Sequence, residues 1–181
     1  MTPEPTASRT ALLIRDAVPA DAETLTLFAA RVFYDTFAAL SNPDDMQLYL
    51  AEAFSVQRQR SEIAAPECRF FLAEISDALV GYAKLRSGYV PKCVTHSRPI
   101  ELNRMYVDPV WKGRGVGDRL MERCLEAARQ AGFETMWLGV WDRNPRARRF
   151  YARWGFVEIG EHPFQFGTEL QTDLVAVRRI E

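Results

Sequence analysis

The part of this sequence best suited to hold a ligand through its main chain is MYVDPVWKGRGVGDRLM, Met105 to Met121. Gly113, Gly115 and Gly117 fall there between an apolar run and a helical pattern. The first backbone N–H groups of a helix have no partner inside it, so such a loop is a ready anion site. Glycine lets a phosphate approach where a Cβ would collide. Three phosphate-binding patterns compete. A Walker-type loop needs Gly-Lys followed by Ser or Thr, which the chain lacks. The dinucleotide fingerprint needs G-x-G-x-x-G early in a doubly wound sheet, whereas here the spacing is G-x-G-x-G in mid-chain. The third, [Gln/Arg]-x-x-Gly-x-[Gly/Ala], is met by Gly115 and Gly117, with Lys112 at its first position. Alone, the loop is equally a tight turn that allows close helix packing.

A second stretch, NPRARRFYARWGF, carries Asn144, Tyr151 and five arginines in or beside one short helix: Arg143, Arg146, Arg148, Arg149 and Arg153. Asn144 before Pro145 is a helix N-cap. Ala147, Phe150, Tyr151 and Trp154 share one apolar helix face, so packing alone accounts for Tyr151. A buried Tyr still needs a partner for its hydroxyl. The arginines read first as a solvated face. Cys124 lies on an apolar helix stripe and reads as a small core residue. His96 and His162 stand far apart, with no clustering that suggests a metal site.

These residues need a scaffold, and the patterning supplies one. ALLIRDA is a short strand, PADAETLTLFAARVFYDTF a helix with Asp21 as cap candidate, and NPDDMQLYLAEAF a helix capped by Asn42. SVQRQRSEIA continues as a second helical piece, and CRFFLAEISDALVGYAKLRSG is a hairpin. After a loop, the strand IELNRMYV leads into the glycines. Leu120, Met121, Cys124, Leu125, Ala128 and Ala131 then form the apolar stripe of an amphipathic helix ended by Gly132. TMWLGVW reads as a strand buried on both faces, so strand, helix and strand make a right-handed crossover with parallel strands. FVEIGEHPFQFG and LQTDLVAVRRI close an α/β fold with a mixed sheet.

Bulk properties narrow the functions. A chain of 181 residues with 48% apolar and 26% charged residues buries a full core without metals or disulfides. Residues 1–10 read as a flexible tail and residues 11–181 as one domain. A net charge of -1 predicts no nucleic-acid or anionic-membrane partner. Three scattered cysteines and no apolar run of ~18 residues point to a reduced, cytoplasmic setting without a membrane span.

Read together, YVDPVWKGRGVG and N-x-x-A-x-x-F-Y-x-x-x-G-F resemble the GNAT superfamily of N-acetyltransferases. The likeness runs from IRDAVPADAETL to the last strands. Within it, YDTF, NPDDMQLYLAEAF, WLGVWDRN and GEHPFQFGTELQTDL most resemble bacterial spermidine/spermine acetyltransferases of the PaiA type. The resemblance implies a mostly antiparallel sheet with one splayed parallel pair and flanking helices. It also implies acetyl-CoA as cosubstrate, no metal, and direct transfer of the acetyl group to a primary amine in a ternary complex. Met105, Tyr106 and Val107 would face the thioester and pantetheine through their backbone. The loop of Lys112, Gly113, Arg114, Gly115, Val116 and Gly117 would hold the pyrophosphate, Gly113 serving only as loop. Asn144 would add a hydrogen bond to the pantetheine arm, one arginine of the short helix would meet the 3′-phosphate, and Tyr151 would protonate the leaving thiolate.

The acceptor amine must lose a proton to attack, since its pKa is near 10.4. Glu101 is the first candidate base, because strand alternation puts it on the face of Met105 and Val107. Asp35, Asp44 and Asp45 are further candidates, as bases or as partners for the cationic ends of a polyamine, and His162 and Phe164 would border the substrate end by resemblance. A protein or peptide acceptor and a non-catalytic CoA-binding module are the alternatives, and the resemblance leaves a homodimer open.

Overall fold

The apolar stripe on the helix after the glycines organises one side of the molecule. The computed structural model describes residues 11–181, so the expected tail lies outside the described residues. The elements are β1 (Leu13–Asp16), α1 (Ala22–Phe37), α2 (Pro43–Ala53), α3 (Val56–Ala64), β2 (Cys68–Ile75), β3 (Ala78–Arg86), β4 (Pro99–Val107), α4 (Val116–Gln130), β5 (Thr135–Trp141), α5 (Pro145–Arg153), β6 (Val157–Phe166) and β7 (Glu169–Arg179). On α4, Leu120, Met121, Cys124, Ala127 and Ala128 bury their side chains against Phe71, Ala83, Leu85, Leu102, Met136 and Leu138 of the sheet. Truncating a side chain such as Leu120 costs about 2–5 kcal/mol in a site this closed. α5 adds Ala147, Phe150, Tyr151 and Trp154 to the same core. The opposite face is covered by α1, α2 and α3, through Leu25, Phe28, Val32, Phe33, Met46, Phe54 and Ile63 on Phe70, Leu72 and Tyr82.

The seven strands run in the order β1-β2-β3-β4-β5-β7-β6, and every neighbouring pair is antiparallel except β4 and β5. The expected α/β fold with one parallel pair is therefore the fold observed. That pair is brief: Pro99, Ile100 and Glu101 oppose Thr135, Met136 and Trp137, and the rungs then stop. Beyond Glu101 and Trp137 the two strands splay. Backbone groups that point into the gap have no strand partner there, and polar main chain of that kind needs one.

The register corrects two expectations. β4 pairs with β3 through Lys84 opposite Arg104 and then Leu85 opposite Leu102, so Asn103 is an extra residue in a β-bulge. A bulge reverses the parity of a strand. Leu102, Met105 and Val107 accordingly pack with the α4 core, whereas Glu101, opposite Arg86, lies on the face of Arg104 and Tyr106. Glu101 is thus not on the face of Met105 and Val107. Asp21 makes no cap hydrogen bond to α1; its carboxylate instead accepts from the Val18 N–H at 2.7 Å and from both Arg15 terminal nitrogens at 2.8 Å. The caps at Asn42 and Asn144 are as expected, with side-chain oxygens accepting from Asp44 and Asp45, and from Ala147.

Candidate active site

A cavity of about 940 Å³ runs through the β4–β5 gap, from the glycine loop at one end to α2, α3 and β3 at the other. At the loop end the main chain turns sharply into α4. Gly115 is the residue before the helix and has φ 86°, a left-handed conformation that strains any residue with a Cβ. The first bond closing the helix runs from the Arg119 N–H to the Gly115 carbonyl, so the N–H groups of Val116, Gly117 and Asp118 have no partner inside it. Gly117 has ordinary dihedrals, and a Cβ there would stand 3.4 Å from the Phe150 ring, within the space between α4 and α5. Lys112, Gly113, Gly115 and Gly117 line the cavity, as do Arg146, Arg149 and Arg153 of α5. Burial and the nearby Arg146 push the Lys112 ammonium below its ordinary pKa, against the pull of Asp108 and Asp35.

Along the gap, Met105, Tyr106 and Val107 form one wall, and Gly139, Val140 and Trp141 the other. Asn144 also reaches the cavity; its Oδ1 is occupied by the Ala147 N–H at 3.1 Å, which leaves the Nδ2 donors for a ligand. Tyr151 lines the same cavity from α5, its ring set edge-on to Phe150 and Phe156. Burial raises the Tyr151 phenol well above its ordinary pKa, so it stays protonated with a proton to give.

Where the strands part, three elements converge on a side chain that is missing. A Cβ on Gly139 would lie 2.7 Å from His162 Nε2 and 3.1 Å from Asp173 Oδ2, so only glycine admits both groups over β5. His162 on β6 and Asp173 on β7 are cross-strand partners, and both line the cavity. His162 Nδ1 lies 3.0 Å from the Pro163 carbonyl oxygen. A carbonyl only accepts, so in the neutral ring that contact selects the tautomer with its proton on Nδ1 and Nε2 as the acceptor. Burial pushes the Asp173 carboxyl up to about 6, opposed by His162 and reinforced by Asp142.

The acids expected from the sequence are placed differently. Glu101 lines the cavity but is 7% exposed and bound on both oxygens, by Arg86 Nε at 2.6 Å and Asn103 Nδ2 at 3.0 Å. Asp35 lines the cavity, solvent-exposed and 3.6 Å from Arg31. Asp44 is exposed outside the cavity walls. Asp45 also lies outside them and is buried, its Oδ1 accepting from the Thr168 N–H at 2.5 Å and hydroxyl at 2.7 Å. Those hydrogen bonds hold its carboxyl below the usual range and fasten the β6–β7 turn to α2. The structure therefore brings Glu101, Asp35 and His162 to the cavity and leaves out Asp44 and Asp45.

Asp173 is a cavity residue that no sequence motif marks. Its signal was there: Asp173, Val175 and Val177 alternate along β7, and an acid on an inward strand face is a candidate for function. Lys84, between Ala83 and Leu85, carried a similar signal. Among the described residues no group of His, Cys, Asp and Glu could hold a metal, and no helix is long and apolar enough to cross a membrane.

Residues 34–156 match the model of the acetyltransferase (GNAT) family. The chain belongs to that family. As a GNAT protein it is an acetyl-CoA-dependent N-acetyltransferase. An uncharacterised N-acetyltransferase of Lactobacillus delbrueckii subsp. lactis is 32% identical over 79% of this chain and 83% of its own. One from Mycobacterium tuberculosis is 31% identical over 88% of this chain and 98% of its own. In fold, this GNAT chain is similar to the crystal structure of a PaiA N-acetyltransferase from Thermoplasma acidophilum in complex with coenzyme A. The TM-score is 0.77 at 20% identity, over 93% of this chain and 99% of that one. The GNAT cosubstrate suits what the site offers: free N–H groups at the start of α4, a basic rim, and a gap walled by unpaired strand edges.

Proposed function

We propose that this chain acetylates the primary amine of a small molecule at the parting of β4 and β5, with His162 as proton acceptor. The observation that carries the reading is the convergence of His162 Nε2 and a half-buried Asp173 on the space over Gly139. Asp173 draws an ammonium into the gap, and His162 Nε2 takes the proton that the nitrogen must shed before attack. The N–C bond forms as the C–S bond breaks; Tyr151 gives its phenolic proton to the departing sulfur, and the second proton shed by the acylated nitrogen restores the phenol. In balance, an ammonium and a thioester become an amide, a thiol and one released proton. Met105, Tyr106, Val107 and Asn144 orient the pantetheine arm, and the Lys112–Gly117 loop holds the pyrophosphate.

Glu101 is the weaker candidate, because both of its oxygens already accept hydrogen bonds, from Arg86 and Asn103. A small acceptor suits the far end, where Phe164 packs 5.5 Å from Tyr49 across the cavity wall. A polyamine acceptor rests on the sequence resemblance to PaiA-type acetyltransferases alone. The charges oppose it: Asp35, Glu62, Glu101 and Asp118 in the cavity wall each already face a lysine or arginine, which leaves few free acids for a polycation. Thiol release from acetyl-CoA, measured with spermidine, spermine, diamines, amino acids and amino-terminal peptides, tests the reading. Turnover of a small amine is expected; turnover of peptides alone would contradict it.

A further inference from the structure

The far end of the cavity holds more buried positive charge than its acids can match. Lys84 Nζ lies 2.8 Å from Glu62, Arg104 3.4 Å and Arg58 3.2 Å, so one carboxylate serves three cations. Lys84 and Arg104 are 2% and 10% exposed, and Glu62 is the only carboxylate paired with either among the described residues. Arg58 has one further acid, Glu52, at 3.8 Å and 81% exposed. Burial works against an ionised Glu62, but Arg104, Lys84 and Arg58 outweigh it and hold its carboxyl below the ordinary range. Burial and the neighbouring Arg104 lower the Lys84 ammonium, the direction expected of a cation short of partners. A guanidinium presents five N–H donors and an ammonium three, and buried donors need acceptors. All four groups line the cavity, on the sheet face that also carries Asp173.

We infer that Lys84, Arg104 and Arg58 form the subsite for an anionic group of the acceptor, so that the substrate is an amine that also carries a carboxylate. The ammonium goes to Asp173 at the strand gap and the carboxylate to the cations around Glu62. Arginine suits that role through its planar fork, which matches a carboxylate in a bidentate pair. The inference deepens the amine-transfer reading and rests on it for turnover, but not for binding.

Three amines of equal chain length separate the possibilities in a thiol-release assay: 5-aminopentanoate, pentylamine and cadaverine. The expected order of kcat/KM is aminopentanoate first, by about tenfold or more over pentylamine, with cadaverine last. Lys84→Met removes most of that advantage, read as the ratio of kcat/KM for aminopentanoate to that for pentylamine. Arg58→Gln, at a part-exposed position that leaves the fold intact, reduces it less. Cadaverine equal to or better than aminopentanoate would overturn the inference. A second measurement needs no turnover: glutarate, added to protein saturated with coenzyme A, should raise the melting temperature of wild type more than of Lys84→Met. If no amine is acetylated but glutarate binds in this way, the transfer reading fails and the anion subsite stands. If glutarate gives no shift, the subsite is overturned whatever the amines do.

Discussion

The two ends of the cavity recognise their ligands by different means. At the α4 end the grip is main chain: a left-handed glycine, free N–H groups and a neighbouring helix held at glycine distance. At the far end it is side chains from α2, α3, β3, β4, β6 and β7, with buried charges and a carboxyl displaced from its ordinary pKa. A main-chain grip depends on glycine and helix-start positions in one short segment and tolerates no added side chain. A side-chain grip depends on residues scattered along the sequence, each replaceable, so it is the part free to change when the acceptor changes.

Substitutions at the two ends should therefore fail differently. The largest effect is expected from Gly117→Glu. Its backbone accepts a side chain and a helix start tolerates a carboxylate, so the protein folds, but the new charge occupies the phosphate cradle. Acetyl-CoA affinity should fall by about 10²-fold or more, read by calorimetry; unchanged affinity would remove the loop from the cradle. Tyr151→Phe should lower kcat by about 10²-fold with acetyl-CoA binding intact, which separates the proton donor from the grip.

A smaller effect with two signs is expected at Asp173. Its carboxyl is pushed from 3.8 up to about 6 by burial, so the folded state holds this proton more tightly than the unfolded chain. Below pH 3.8 the two states are equally protonated at this group; as pH rises through about 6 the fold is progressively destabilised. Asp173→Asn should therefore melt higher at neutral pH, by at most about 3 kcal/mol before solvent screening, and lose that advantage in acid. Its turnover should drop all the same. Smallest is Asp45→Asn, which weakens the tie to Thr168, lowers the melting temperature slightly and leaves acetyl-CoA affinity alone. A specific loss of amine binding without loss of stability would instead return Asp45 to the substrate site.

The same contrast explains what could be read from the chain. The glycine loop, the Asn144 cap and the helix stripe of α4 are local patterns with fixed spacing, and each lies where its spacing placed it. Strict alternation misplaces Glu101, because one extra residue at Asn103 reverses the parity, and a bulge leaves little mark in residue types. Asp44 and Asp45 are acids near a helix start, and nothing local separates a cap region or a tie to β6–β7 from a ligand contact. The His162–Asp173 pair and the Glu62 cluster join residues from distant segments, so they become visible only once the sheet order is known.

Where the amine proton goes decides the chemistry, and the pH profile of thiol release by wild type and His162→Gln measures that directly. Wild type should lose kcat/KM on the acid side as Asp173 takes up its proton near about pH 6. His162→Gln should be about 10²-fold slower at neutral pH, with the deficit shrinking toward the amine's own pKa near 10.4, where no acceptor is needed. A variant within about twofold of wild type at neutral pH would contradict the role of His162 and return the proton to Glu101 or to solvent.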